Sequence, residues 1–181
     1  MAKVLVPLAD GCEELEAVTI IDLLRRAGID VVVAGLKPGV VKASRGVQLV
    51  PDVTLDHALA DDYDMVVLPG GMSGAAHLKD DVRVVELLKK MAAAGKYTAA
   101  ICAAPMVLAE AGLLGGKQAT SYPGVLDGLP GVTLRAEAVV QDGTVLTSRG
   151  PGTAMDFALQ LVETLAGRAK REQVEAALVR P

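Results

Sequence analysis

Short apolar runs rich in Val, Ile and Leu alternate along this chain with longer stretches in which apolar positions recur every three or four residues. Residues 4–8 form such a run, residues 13–27 a helical pattern closed by Gly28, and residues 30–34 a second run. Continuous short runs suit buried strands and a 3.6-residue period suits an amphipathic helix, so the opening predicts a strand–helix–strand unit. Within the helix, Leu15, Val18, Ile21 or Asp22, and Leu24 or Arg25 recur at helical spacing and mark its expected apolar row. Glu13, Glu14 and Glu16 occupy its first turns and Arg25 and Arg26 its last, which complements the helix dipole.

Further along, a Pro38-Gly39 turn precedes strands at 40–42 and 47–50, expected to form a hairpin at one sheet edge. The apolar run 65–68 stops at Pro69-Gly70-Gly71. A helix is predicted over 82–94, with Asp80 or Asp81 as its N-cap and Gly95 just beyond its end. Strand 97–101 stops at Cys102, and Pro105 opens the next helix, where its missing N–H has no partner to lose. Strands follow at 132–134, 138–141 and 144–147, the last two joined by Asp142-Gly143, a strong hairpin signal. Helices over 153–165 and 172–178 close the pattern. With no repeat, linker or low-complexity tract, the expected architecture is one doubly wound α/β domain over residues 1–181, helices on both faces of a mostly parallel sheet.

Composition narrows the function classes. A chain of 181 residues, 51% of them hydrophobic and 22% charged, buries roughly 70% of its unfolded surface without a staple. The net charge of −4, the absence of Trp, a single Phe and the lack of a Lys/Arg block argue against nucleic acid as a partner. The apolar stretches are shorter than the roughly 20 residues a membrane span requires. Two cysteines make no disulfide framework, and Met1-Ala2-Lys3 runs straight into an apolar strand without a signal-peptide layout, so a cytoplasmic protein is expected. Two His and two Cys at these spacings match no common zinc pattern, and no metal or separable cofactor is expected.

In a sheet of this kind ligands sit outside the carboxyl ends of the strands, which directs attention to the segments after Leu8, Leu68 and Ile101. Cys102-Ala103-Ala104-Pro105 places a thiol between strand and helix with small neighbours, the layout of a strained nucleophile elbow. N–H donors at the helix start are expected to stabilise its thiolate and lower its pKa. A buried structural cysteine is the plainer alternative. Gly70 and Gly71 let backbone N–H groups come close to a ligand, and with the N–H of Ala103 they are candidates for an oxyanion hole. Glu16, if it faces Cys102, should be desolvated and protonated near neutral pH, and would serve as the acid/base. Glu13 and Glu14 suit simple solvated charges, and His57 and His77 are expected on the surface.

The segments Val66-Val67-Leu68-Pro69-Gly70-Gly71, Ala99 through Pro105, and Leu146 through Thr153 together resemble the parkinsonism-associated deglycase branch of the DJ-one/PfpI superfamily. The resemblance implies a flavodoxin-like three-layer sandwich, a homodimer, an oxidation-sensitive Cys102 and a protonated Glu16 bonded to its sulfur. It implies a glutathione-independent glyoxalase or deglycase acting on methylglyoxal or its protein and nucleotide adducts, and a chaperone and stress-defence role. It also puts Arg45 with Ser44, and Arg149 with Pro151, at the border of the pocket and the dimer interface.

Two departures stand out. Tyr122 occupies a position where strongly active relatives carry a His, and Ala103 replaces the His that follows the cysteine in the protease-like branch. Cys12 is either a solvent-exposed bystander or a second redox thiol that resolves an oxidised Cys102. Three functions remain open on the same residues: the carbonyl-directed enzyme, a non-enzymatic redox sensor or chaperone acting through oxidation of Cys102, and an amidase or peptidase-like hydrolase.

Overall fold

The computed structural model describes residues 1–180. In chain order the elements are β1 (Lys3–Leu8), α1 (Glu14–Arg26), β2 (Asp30–Gly35), β3 (Val41–Lys42), β4 (Gln48–Leu49), β5 (Val53–Thr54), α2 (Leu55–Ala58), β6 (Met65–Leu68) and α3 (Met72–Asp80). They continue with α4 (Val82–Ala93), β7 (Tyr97–Ile101), α5 (Pro105–Glu110), β8 (Gln118–Ala119), β9 (Thr133–Leu134), β10 (Val139–Asp142), β11 (Val145–Ser148), α6 (Ala154–Ala166) and α7 (Arg168–Ala177).

Seven strands form the central sheet in the order β10-β11-β7-β6-β1-β2-β5. All neighbours run parallel except β10, which is antiparallel to β11. Because a parallel sheet is covered on both faces, its strands are apolar at nearly every position. Alternate residues of β1 accordingly enter different layers: Val4, Val6 and Leu8 pack with α1 and α6 residues such as Ile20 and Phe157, whereas Leu5 packs with Leu55, Leu78 and Leu88 of α2, α3 and α4. The result is the expected three-layer flavodoxin-like sandwich. No helix among the described residues is long and apolar enough to cross a membrane.

Several local expectations are corrected. On α1 the buried residues are Glu14, Glu16, Ala17, Ile20, Leu23 and Leu24. Leu15 and Val18 are about half exposed, at 51% and 48%. The buried stripe includes carboxylates, which an apolar count along the helix passes over. The strands at 40–42 and 47–50 shorten to β3 and β4, which form a separate two-stranded sheet, and the sheet edge belongs instead to β5. The segment after Gly71 is a full helix, α3, ahead of the correctly placed Asp81 cap of α4, whose side chain accepts from the N–H of Arg83 at 3.0 Å.

The turn between β10 and β11 is centred on Gly143 and Thr144, one residue later than expected. The strand at 132–134 becomes β9, pairing in parallel with β8, a two-residue strand that the sequence pattern does not signal. α7 begins at Arg168, ahead of the expected 172, because its early turns are polar on most sides and show no apolar period; Val174 is its buried residue.

Candidate active site

The carboxyl ends of β1, β6 and β7 meet at Cys102. Directly after β7, this residue takes φ = 64°, a left-handed conformation that costs a non-glycine residue on the order of 1–3 kcal/mol. Its backbone is held on both sides: its N–H donates to the Ser148 carbonyl at 2.9 Å and its carbonyl accepts from the N–H of Tyr122 at 2.8 Å. Ala103 and Ala104 are buried and small, and Pro105 opens α5. Cys102 as a whole is buried, 8% exposed.

Glu16 enters from α1, fully buried. Its Oε2 accepts from the Gly70 N–H at 2.7 Å, while Oε1 has no hydrogen-bond partner that meets ordinary geometry. Burial raises its carboxyl to about pH 7, against the Gly70 N–H and the neighbouring thiol, which pull it down. The thiol of Cys102 is pushed up to about 12, first by burial and then by the negative charge of Glu16; N–H groups of Gly71 and Ala103 oppose this. The expected lowering of this pKa is therefore corrected: two backbone donors and a six-residue helix do not outweigh burial beside a carboxylate. The two groups are coupled, because protonating Glu16 removes the charge that opposes the thiolate. A neutral carboxyl beside a thiolate and a carboxylate beside a thiol are thus two states of one shared proton.

The double glycine is required sterically. A Cβ on Gly70 would stand 2.6 Å from both the Cys102 Cβ and Glu16 Oε2. Gly71, at φ = 85°, turns the chain into α3, and a Cβ there would meet the Glu13 nitrogen at 2.6 Å. Gly70 does not face an open oxyanion position, since its N–H is already given to Glu16 and its carbonyl accepts from the Glu13 N–H at 2.9 Å. The donors directed at sulfur are those of Gly71 and Ala103.

Other candidates lie farther out. Arg45 is exposed, and its backbone N–H, not its guanidinium, is bonded, to Glu14 at 2.9 Å. With Glu13, Ser44, Gly71 and Met72 it lines an open cavity of about 620 Å³ beside the double glycine. Tyr122 presents a half-exposed ring and contributes its N–H to the elbow. Arg149 donates to the Ala136 carbonyl at 3.1 Å, and Pro151 begins a single turn of 3-10 helix before α6. None of these side chains bonds to Cys102 or Glu16.

Cys12 is fully buried, not an exposed bystander; both cysteines are free, and burial pushes this second thiol up to about 12. Glu14, expected in solvent, is buried and bonded. His57 and His77 are exposed, as expected. Among the described residues no group of three His, Cys, Asp or Glu side chains is disposed to hold a metal.

The sequence pattern missed Ser148, whose carbonyl anchors the elbow and whose hydroxyl joins the Ala138 carbonyl and Thr153, both at 2.7 Å. It missed Thr147 as well, which accepts from the Thr120 N–H at 2.9 Å. Two hydroxyl residues ending an apolar strand were the available signal.

Residues 2–164 fit the profile of the DJ-1/PfpI family. The chain belongs to that family. Protein dj-1beta of Drosophila melanogaster is 47% identical over 178 residues, covering 97% of this chain and 95% of the relative. The crystal structure of Drosophila melanogaster DJ-1beta superposes with a TM-score of 0.96 at 45% identity, covering 99% of this chain and 98% of that one. Protein DJ-1 homolog B of Arabidopsis thaliana is 48% identical over 177 residues, and this chain, 97% covered, spans 40% of that longer protein. A Caenorhabditis elegans member, 37% identical over 93% of this chain and 90% of its own length, is named glutathione-independent glyoxalase DJR-1.2.

Proposed function

We propose that this DJ-1/PfpI protein is a glutathione-independent glyoxalase or deglycase, acting on methylglyoxal or on its protein and nucleotide adducts. The observation that carries this is the buried Cys102 thiol on its strained elbow beside the fully buried carboxyl of Glu16, with N–H groups of Gly71 and Ala103 at the sulfur. Thiolate, formed as its proton passes to Glu16, adds to the aldehyde carbon of methylglyoxal to give a hemithioacetal oxyanion, with the N–H groups near Gly71 and Ala103 available to the developing charge. Glu16 first returns that proton to the oxyanion; as a carboxylate again, it takes the proton from the former aldehyde carbon, giving an enediol, and delivers it to the neighbouring carbonyl carbon. The resulting lactoyl thioester is cleaved by water, which returns the thiol and releases lactate. Methylglyoxal plus water thus balances to lactic acid with no external oxidant or reductant. The C. elegans relative's name supports the same chemistry.

The test is lactate release from methylglyoxal without glutathione, by wild type, Cys102→Ser and Glu16→Gln. Turnover lost in both variants is expected. A wild type that releases no lactate above buffer, yet converts Cys102 to sulfinic acid stoichiometrically in dilute peroxide, would replace this reading with the redox-sensor one. We further propose a homodimer, supported by the half-exposed Leu15 and Val18 on α1 and by Val47, whose N–H reaches Glu14 at 3.4 Å on the same surface. Light scattering should give twice the chain mass, and Val18→Asp should reduce it to one.

A further inference from the structure

A second cavity, of about 340 Å³, opens at the carboxyl ends of β1 and β2, and Cys102 takes no part in lining it. Its volume falls within the usual range for small-molecule sites, and strand ends are where this class of sheet binds ligands. Leu8, Ala9, Leu36 and Val41 form an apolar floor.

The rim carries both charges with unfilled bonding capacity. Among the described residues, the Lys37 ammonium has neither an ion pair nor a side-chain hydrogen bond. Asp10 gives only one carboxylate oxygen to the protein, accepting from the Lys42 N–H at 2.9 Å. Asp80, 75% exposed, is 3.9 Å from Lys79 and has no other partner. By contrast, Asp81 and Arg83 satisfy each other at 2.6 Å. His77 lines the same cavity with Nδ1 2.9 Å from the Asp10 carbonyl oxygen. A carbonyl only accepts, so Nδ1 carries the hydrogen and Nε2 is left for a ligand.

Two carboxylates with bonding capacity to spare on the same rim as one ammonium disfavour a simple anion, and Lys37 disfavours a simple cation. The apolar floor requires a hydrocarbon body. We infer that this cavity binds a free apolar α-amino acid. Its carboxylate meets Lys37, its ammonium meets Asp10 and Asp80, and its side chain covers Leu8 and Leu36. The site stands apart from the thiol chemistry and does not depend on the proposed reaction.

The test is calorimetric titration of the full chain with L-leucine, alongside 4-methylpentanoate and 3-methylbutylamine, which each keep the hydrocarbon body and one charge. Saturable binding of L-leucine is expected, with each single-charge analogue weaker by about tenfold, the scale of one charge-assisted hydrogen bond. Lys37→Gln, and Asp10→Asn with Asp80→Asn, should weaken L-leucine by a similar factor; Asn at position 10 keeps the oxygen that Lys42 needs. Cys102→Ser should bind as wild type does. No binding to wild type, undiminished binding to the Lys37 and aspartate variants, equal binding of an analogue, or loss of binding in Cys102→Ser would each overturn the inference.

Discussion

Glu14 and Glu16 lie two residues apart on α1, both largely withdrawn from solvent, yet the protein drives their carboxyls in opposite directions. Burial opposes the charge of Glu14 too. Its carboxylate nevertheless collects the Ser44 hydroxyl at 3.0 Å and the N–H groups of Arg45 and Val47, and these hold its pKa below the usual value. Glu16 has one backbone donor and an empty second oxygen, so burial prevails and the carboxyl rises to about 7. Depth and donors act together: Glu14, 9% exposed, lies near the edge and collects several donors, whereas Glu16 is fully enclosed with one backbone donor, and this separates a fixed structural anion from a group that can exchange a proton at neutral pH.

The largest effect expected from breaking this contrast is on turnover. Glu16→Gln should reduce lactate release at least ~10²-fold, the scale of a lost general acid/base. Glu14→Gln should leave it within about threefold, a difference between free energies of less than 1 kcal/mol; equal losses in both would remove the distinction.

The next expectation concerns pH. Glu16 is raised from 4.5 in the unfolded chain to about 7, so the folded state binds the extra proton between those values. Its stabilising contribution is full below pH 4.5 and is lost as pH rises through 7. Relative to Glu16→Gln, wild type should lose on the order of 3 kcal/mol across that window in urea melts. A pH-independent difference would refute the assignment. Glu14 has the opposite sign: its contribution is present above pH 4.5 and disappears as pH falls through its lowered value.

Smaller again, Gly70→Ala should cost ~2 kcal/mol by overpacking against Cys102 and Glu16, seen as a lower urea midpoint; an unchanged midpoint would show that the site yields. Smallest, Glu14→Gln at pH 7 should cost about 1 kcal/mol through weakened bonds to the β3–β4 turn, and should leave that turn's amides exchanging faster with deuterium.

Much of the sheet was legible because parallel strands, covered on both faces, leave uninterrupted apolar runs such as residues 65–68. Cys102 and the double glycine were legible because an elbow and a close backbone approach admit few residue types. β5 and β8, two residues each, carry no period to detect. The buried face of α1 was misread because Glu14 and Glu16 count as polar, and donors distant in sequence, on the β3–β4 turn and at Gly70, are what hold them there. The thiol's pKa was misread for a related reason: local sequence shows the donors at the start of α5 but not the depth of the site or the carboxylate opposite. Ser148 escaped notice because its contact with Cys102 is made by its carbonyl, which any residue has.

The left-handed backbone at Cys102 sets thermal robustness against chemistry. Glycine relieves strain at φ = 64°, so the substitution that abolishes the nucleophile can also relax the fold around it. A library of this chain screened for heat resistance alone would favour glycine at position 102 and discard the reactive sulfur, whereas one screened for thiol reactivity would retain a less stable elbow.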